Sequence, residues 1–175
     1  GVKLLLSEAA LKEHIASDGF DESVDGITLV QRYVQAPAPF ITRVEFVGGK
    51  LLYAVRVDTS QGFELCPADA CNIDVVASAC PAVAPGEKFQ IVPDFDHPLL
   101  PAWQSFLAAN DIGVAGIEFI EDAAGRAFTY DVNTNTNYNS DAEAKDGRRG
   151  MAAIAAHLGK LLAEQGSGHN LRSAA

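Results

Sequence analysis

Two adjacent glycines, Gly48 and Gly49, separate two runs of alternating character, Phe40–Val47 (FITRVEFV) and Lys50–Asp58 (KLLYAVRVD). Alternation with a period of two is the pattern of a half-buried strand. A Gly-Gly pair supplies the positive φ angles of the tight turns that join such strands. The stretch predicts a β-hairpin, and a hairpin must bury its apolar face against something else. Ala115–Glu121 and Arg126–Val132, around DAAG, predict a second one.

Helical patterns supply the rest of the core. Ser7–Asp18 reads as a helix capped by Ser7 and ended by Gly19, with Leu11 and Ile15 on one face. Leu99–Asn110 places Leu99, Trp103, Phe106 and Leu107 on one face, and Met151–Gln165 turns Met151, Ile154, Leu158, Leu161 and Leu162 inward before Gly166 stops it. Ile27–Val34 (ITLVQRYV) has strand composition, and Pro37 and Pro39 then break the pattern. Residues 59–97 suggest loops with one or two short elements. SDAEAKDGRR reads as a charged loop, and 166–175 as a flexible tail. Segregated hairpins and helices imply an α+β fold in which residues 1–165 form one domain.

Composition narrows the function. The 175 residues are 48% hydrophobic and 21% charged, ordinary for a globular protein, and the net charge is −10. That balance argues against nucleic-acid or anionic-membrane partners, which need a basic field. No apolar run approaches the roughly 20 residues of a membrane helix, and no signal peptide is visible. Cys66, Cys71 and Cys80 lack the paired CxxC spacing of zinc sites and suit inert, reduced thiols. A cytoplasmic location is expected, with the oligomeric state left open. The four histidines are scattered, and His157, beside the apolar stripe of the last helix, is expected to pack.

The charged faces carry the chemistry. With an unbroken two-residue hairpin, Arg43 opposes Ala54 and Ile41 opposes Arg56, so Arg43 and Arg56 become diagonal neighbours on one face. Paired guanidiniums suit a phosphate. The plainer alternative is a solvated face on which Glu45 neutralises Arg43. In the second hairpin, Glu118, Asp131 and Asn133 fall on one face while Ile117, Phe119, Phe128 and Tyr130 fill the other. Two carboxylates and an amide oxygen suit a hard cation, magnesium or manganese, completed by water and phosphate. DVNTNTNYN (Asp131–Asn139) extends this row of oxygens, and Thr134 and Thr136 belong to the other side of the strand. A calcium-binding helix–loop–helix fits poorly, because Thr136 and Ala142 stand where its glycine and glutamate belong.

LVQRYV, then TRVEFVGGKLLYAVRV, then GIEFIED with FTYDVNTNTNYN, in that order, resemble the C-terminal part of an ATP-grasp domain of the alpha-L-glutamate ligase-like branch. The resemblance implies an antiparallel sheet with flanking helices. It implies ATP and magnesium as cofactors, and ligation of a carboxylate to an amino-acid amine through an acyl phosphate. Gln31, Tyr33 and Val34 would contact adenine, and Arg43 and Arg56 the phosphates. Glu118, Asp131 and Asn133 would hold metal, and Asn135 would touch the acceptor. Asp131 is one methylene shorter than the glutamate more usual there. Glu64, Cys66 and Asp69 stand where an arginine and an asparagine are expected, which leaves the acceptor open. The family's Gly-rich phosphate loop and lysines do not occur in these residues, so the chain is expected to be an inactive C-terminal fragment of a ligase. The alternative is a non-catalytic nucleotide-binding or protein-interaction module of the same fold.

Overall fold

Both turn glycines have positive φ, 60° at Gly48 and 69° at Gly49. They join β1 (Phe40–Val47) to β2 (Lys50–Asp58) as the sequence requires. The structure is a computed structural model describing residues 2–20, 23–60 and 88–172, the stretch 166–172 as backbone. Glu64, Cys66, Asp69, Cys71 and Cys80 lie outside the described residues. The chain separates into two compact units, Gly1–Gln35 and Ala36–Ala175.

In the first unit, α1 spans Glu8–Ile15. Ser7 has extended backbone, and its hydroxyl accepts the Ala10 N–H at 3.1 Å, satisfying a donor that the helix leaves open. Ile27–Val34, expected as a strand, joins no ladder, and Ile27, Leu29, Val30 and Tyr33 are exposed. Strand composition does not make a strand without an edge to pair with.

The second unit is built on a five-stranded antiparallel sheet in the order β3-β2-β1-β4-β5, which makes the fold α+β. Its other strands are β3 (Phe89–Val92), β4 (Val114–Glu121) and β5 (Ala127–Asn133). On one face Val44, Phe46, Ala54, Ala115, Ile117 and Phe119 meet Trp103 and Leu107 of α2 (Leu100–Ala109). Trp103 Nε1 also donates to Thr129 Oγ1 at 2.8 Å, so the indole buries its ring without stranding its donor. Phe106, expected on this buried face, is exposed. On the other face Ile41, Tyr53, Val55 and Val57 are buried against partly buried residues that include Tyr138.

Two helices follow the sheet. SDAEAKDGRR is not a loop: Ser140–Asp146 forms α3, capped by Asn139 Oδ1 on the Ala142 N–H and ended by Gly147 at φ 71°. These are ordinary start and stop signals, hidden by the charge density between them. α4 (Gly150–Arg172) runs through Gly166 instead of stopping there, so most of the expected tail is helical. Its apolar stripe is less covered than its periodicity suggests, with Met151, Leu158, Leu161 and Leu162 exposed. No described helix is long and apolar enough to cross a membrane.

His157 packs as expected, against the end of the first hairpin. A β-carbon added at Gly48 would lie 3.0 Å from its Nδ1, and one added at Gly113 would lie 3.0 Å from its Nε2. The Gly48 N–H donates to the Gly113 carbonyl at 2.6 Å. Gly48→Ala therefore meets both a left-handed backbone and an imidazole, and should cost about 1–2 kcal/mol. Gly49→Ala has a similar φ but open space and should cost less. Denaturant midpoints of the two variants test the order.

Candidate functional site

Two irregularities in strand pairing decide which charged residues meet. The first hairpin keeps the expected register for Val47↔Lys50 and Phe46↔Leu51, then slips by one between Glu45 and Phe46. Beyond the bulge Arg43 opposes Val55 and Thr42 opposes Arg56. Because the side-chain period is two, one extra residue moves everything beyond it to the other face. Arg56 therefore lies on the face opposite Arg43, with its guanidinium 4.7 Å from the Phe40 ring centroid. The shared face expected for Arg43 and Arg56 is corrected by that bulge.

The second irregularity falls between Glu118 and Phe119, and it brings Glu118 directly opposite Asp131. Ile117↔Val132 and Gly116↔Asn133 follow in step. Glu118, Asp131 and Asn133 thus share one face, as the sequence suggests. Phe128 pairs with Ile120 and leaves the face of Phe119, which pairs with Thr129. Tyr130, expected among the apolar side chains, instead brings its hydroxyl to bear on the Glu118 carboxyl.

β1 pairs with β4 through Arg43↔Glu118 and Glu45↔Gly116. Two cross-strand rows result. One is Arg43–Glu118–Asp131, and the next is Glu45–Gly116–Asn133. The glycine in the second row has a steric reason. A β-carbon at Gly116 would sit 2.6 Å from Arg43 Nε and 2.8 Å from Nη2, so the guanidinium lies over bare backbone. A glycine inside a strand often marks such a close approach.

The guanidinium is held by carboxylates. Arg43 Nε is 2.6 Å from Glu45 Oε1, and Nη1 is 3.6 Å from Glu118 Oε1. Glu45 Oε2 accepts the Thr136 hydroxyl at 2.7 Å, and Arg43 Nη2 donates to the same oxygen of Thr136. The solvated-face alternative is half right: Glu45 does neutralise Arg43, but Glu45 is 1% exposed. Thr136 does not point away from the site, because β5 ends at Asn133 and the chain turns there. Asn133 Oδ1 accepts the Asn135 N–H at 2.8 Å, which makes the turn. Asn135 is exposed and Asn139 caps α3, so the asparagines of DVNTNTNYN do not form one row.

A pocket opens over this face, with Arg43, Glu45 and Glu118 at its polar end and Val55, Val57 and Phe89 along its apolar wall. Tyr53, Tyr138 and α3 close it. Glu143 anchors that side: its Oε1 accepts the Tyr53 hydroxyl at 2.8 Å and the Gly150 N–H at 2.6 Å, tying β2, α3 and the start of α4. Tyr53, Glu143 and Thr136 belong to the site although alternation alone does not group them with Arg43 and Glu45. The cue for Glu143 is Asn139, whose cap starts the helix that carries it.

Burial sets the electrostatics. It pushes the Glu45 carboxyl above its ordinary range, and Arg43 and the Thr136 hydroxyl pull it partly back. Burial also raises Glu118, with the Tyr130 hydroxyl and Arg43 opposing and Asp131 adding to the rise. The hydroxyls of Tyr53 and Tyr130 are pushed up, chiefly by burial and then by neighbouring carboxylates. Among the described residues no three His, Cys, Asp or Glu side chains form a metal-holding group. The candidate cation set is two opposed carboxylates and one amide oxygen, Glu118, Asp131 and Asn133. It fits magnesium, which takes one or two protein carboxylates and fills its shell with water and phosphate. A cation there would also offset the repulsion of Asp131 for Glu118. Gln31, Tyr33 and Val34 lie in the other compact unit.

The raised carboxyls make stability fall with pH. Above 4.5, the ordinary glutamate value, the native state retains protons on Glu45 that the unfolded chain releases. Stability is therefore greatest below that value and is lost as pH rises through the raised one. Glu45 is faced by Arg43 and Thr136, with Glu143 adding repulsion. Glu45→Gln should lose less stability than the parent as pH rises from 4.5. Parallel denaturation profiles for the two would show that Glu45 is solvated.

The chain matches no family model and no curated protein. Among solved structures it is similar to the ATP-grasp ligase PsnB complexed with a phosphomimetic variant of minimal precursor, Mg and ADP, with TM-score 0.46 and 12% identity over 71% of this chain. It is similar to the macrocyclase MdnB from Microcystis aeruginosa MRC, with TM-score 0.42 and 14% identity over 71% of this chain. A third is a Chryseobacterium gregarium RiPP-associated ATP-grasp ligase in complex with ADP and a leader and core peptide, with TM-score 0.36 and 13% identity over 58%. The chain spans 33%, 37% and 27% of the lengths of these three structures. Any function assigned to the chain therefore rests on the site's own residues.

Proposed function

We propose that this face is the magnesium- and nucleotide-binding ledge of an ATP-dependent carboxylate–amine ligase of the ATP-grasp type. One observation carries the reading: Arg43, Glu118 and Asp131 stand in a single cross-strand row, with Asn133 beside them. A cation and a guanidinium on one rigid sheet face can take a polyphosphate between them. Glu118, Asp131 and Asn133 would hold the metal, which when bound would offset charge on the phosphate oxygens.

The chain's own residues position and neutralise. Arg43 offers the phosphate a planar fork. β1 and β4 fix the backbone that carries that fork by strand pairing. Adenine contacts from Gln31, Tyr33 and Val34 remain only what the family resemblance implies; an acceptor contact from the exposed Asn135 belongs to the present proposal. So do the carboxylate substrate and the amino-acid amine. Arg56 is left out, because it occupies the other face. A second reading, a non-catalytic module of the same fold, is favoured by the pairing of Arg43 with Glu45 inside the protein.

Calorimetric titration of Mg·ADP into the full-length native chain containing these residues, with a magnesium-free control, decides. Magnesium-dependent binding is expected. Asp131→Asn should abolish the magnesium dependence and leave the fold intact, because it removes charge but little volume. Arg43→Ala should weaken binding about tenfold or more, the value of a hydrogen bond to a charged group. Lys50→Ala, at an exposed position by the hairpin turn, should change little. Binding by Asp131→Asn equal to that of the parent would sink the metal assignment. Binding without phosphate release in the presence of amino-acid acceptors would favour the non-catalytic module.

A further inference from the structure

The guanidinium assigned to phosphate already has an anion. Glu45 is 1% exposed, and both of its oxygens are engaged. Oε1 faces Arg43 Nε at 2.6 Å, and Oε2 takes the Thr136 hydroxyl at 2.7 Å. Thr136 closes the ring by accepting from Arg43 Nη2. Arg43 and Thr136 are 93 residues apart in sequence, so the ring also pins the segment beyond β5 onto the sheet. One flaw stands out. Arg43 Nε is buried, and although Glu45 Oε1 is close, its N–H is not aligned on any acceptor among the described residues.

We infer that Glu45 and Thr136 form an autoinhibitory clasp on Arg43, an internal carboxylate that an incoming phosphate must displace. The clasp rests on the proposed nucleotide site and adds its regulation. A buried donor without an aligned acceptor is costly, so the clasp holds Arg43 in a poor arrangement that a better-placed oxyanion can replace. A phosphate presents several oxygens and can take a guanidinium in the two-bond geometry that Glu45 does not achieve here. Release of the guanidinium removes one of the two bonds that hold Thr136 and leaves its hydroxyl on Glu45 alone, which loosens the attachment of the segment leading to Tyr138 at the pocket wall. Phosphate binding and the attachment of that wall are then coupled through one hydroxyl.

Two variants of the full-length native chain test this by calorimetry with Mg·ADP. Glu45→Gln removes the internal anion, and Thr136→Val removes the clasp's hydroxyl without changing any charge. Both should bind Mg·ADP more tightly than the parent, Glu45→Gln by about tenfold. Tightening by Glu45→Gln alone would mean a general gain in positive potential and would overturn the clasp. Unchanged or weaker binding by folded Thr136→Val, with the parent binding normally, would overturn it too and leave the nucleotide site standing. Absence of binding by the parent and both variants would overturn the nucleotide reading and the clasp together. If Glu45→Gln fails to fold, Thr136→Val decides alone.

Discussion

Strand parity governs this site. In a sheet, each residue's face is fixed by counting from the last irregularity, so one extra residue exchanges the two faces for everything beyond it. The slip between Glu45 and Phe46 carries Arg56 away from Arg43. The slip between Glu118 and Phe119 aligns Glu118 with Asp131. Both occur on the strand pairs that hold the charged rows, and the rows owe their composition to them. Were both hairpins regular, the sheet would present a pair of arginines on one face and would lose the direct opposition of the carboxylates.

The resulting cluster is an expensive thing to bury. Breaking a buried ion pair by removing one partner commonly costs about 3–5 kcal/mol, while an apolar replacement of the whole cluster is often neutral or better. Stability alone does not require Arg43, Glu45 and Glu118 here. Their pairing distances, 2.6 Å and 3.6 Å, show one tight and one loose partner. The apolar side chains around them, Val55 and Ile41 among them, lower the local dielectric and strengthen each interaction.

Most of the fold was legible from periodicity. The first hairpin lies where Gly48–Gly49 places it, and the second lies within a residue or so of its expected bounds, because alternation and turn chemistry are local signals. The face shared by Glu118, Asp131 and Asn133 was legible for the same reason. Bulges were not, since no residue type announces an extra position in a strand, and that cost the placement of Arg56, Phe128 and Tyr130. Ile27–Val34 misled in another way: β-branched composition reports suitability for a sheet, not the presence of a neighbour. Asn135 and Thr136 were misplaced because the strand ends before them, with Asn133 turning the chain by its side chain.

Gly116 has a consequence for how such a site is inherited. Each of three strands contributes a pair spaced by one residue: Arg43 and Glu45, Gly116 and Glu118, Asp131 and Asn133. Written as a pattern, the site is R-x-E, G-x-E and D-x-N on antiparallel neighbours. Five of the six positions bear functional groups, and the sixth bears nothing because Arg43 occupies its space. The empty position is as specific as the filled ones. A fingerprint for this arrangement in other chains should therefore fix the glycine together with the charges, and treat a larger residue there as evidence that the arginine points elsewhere.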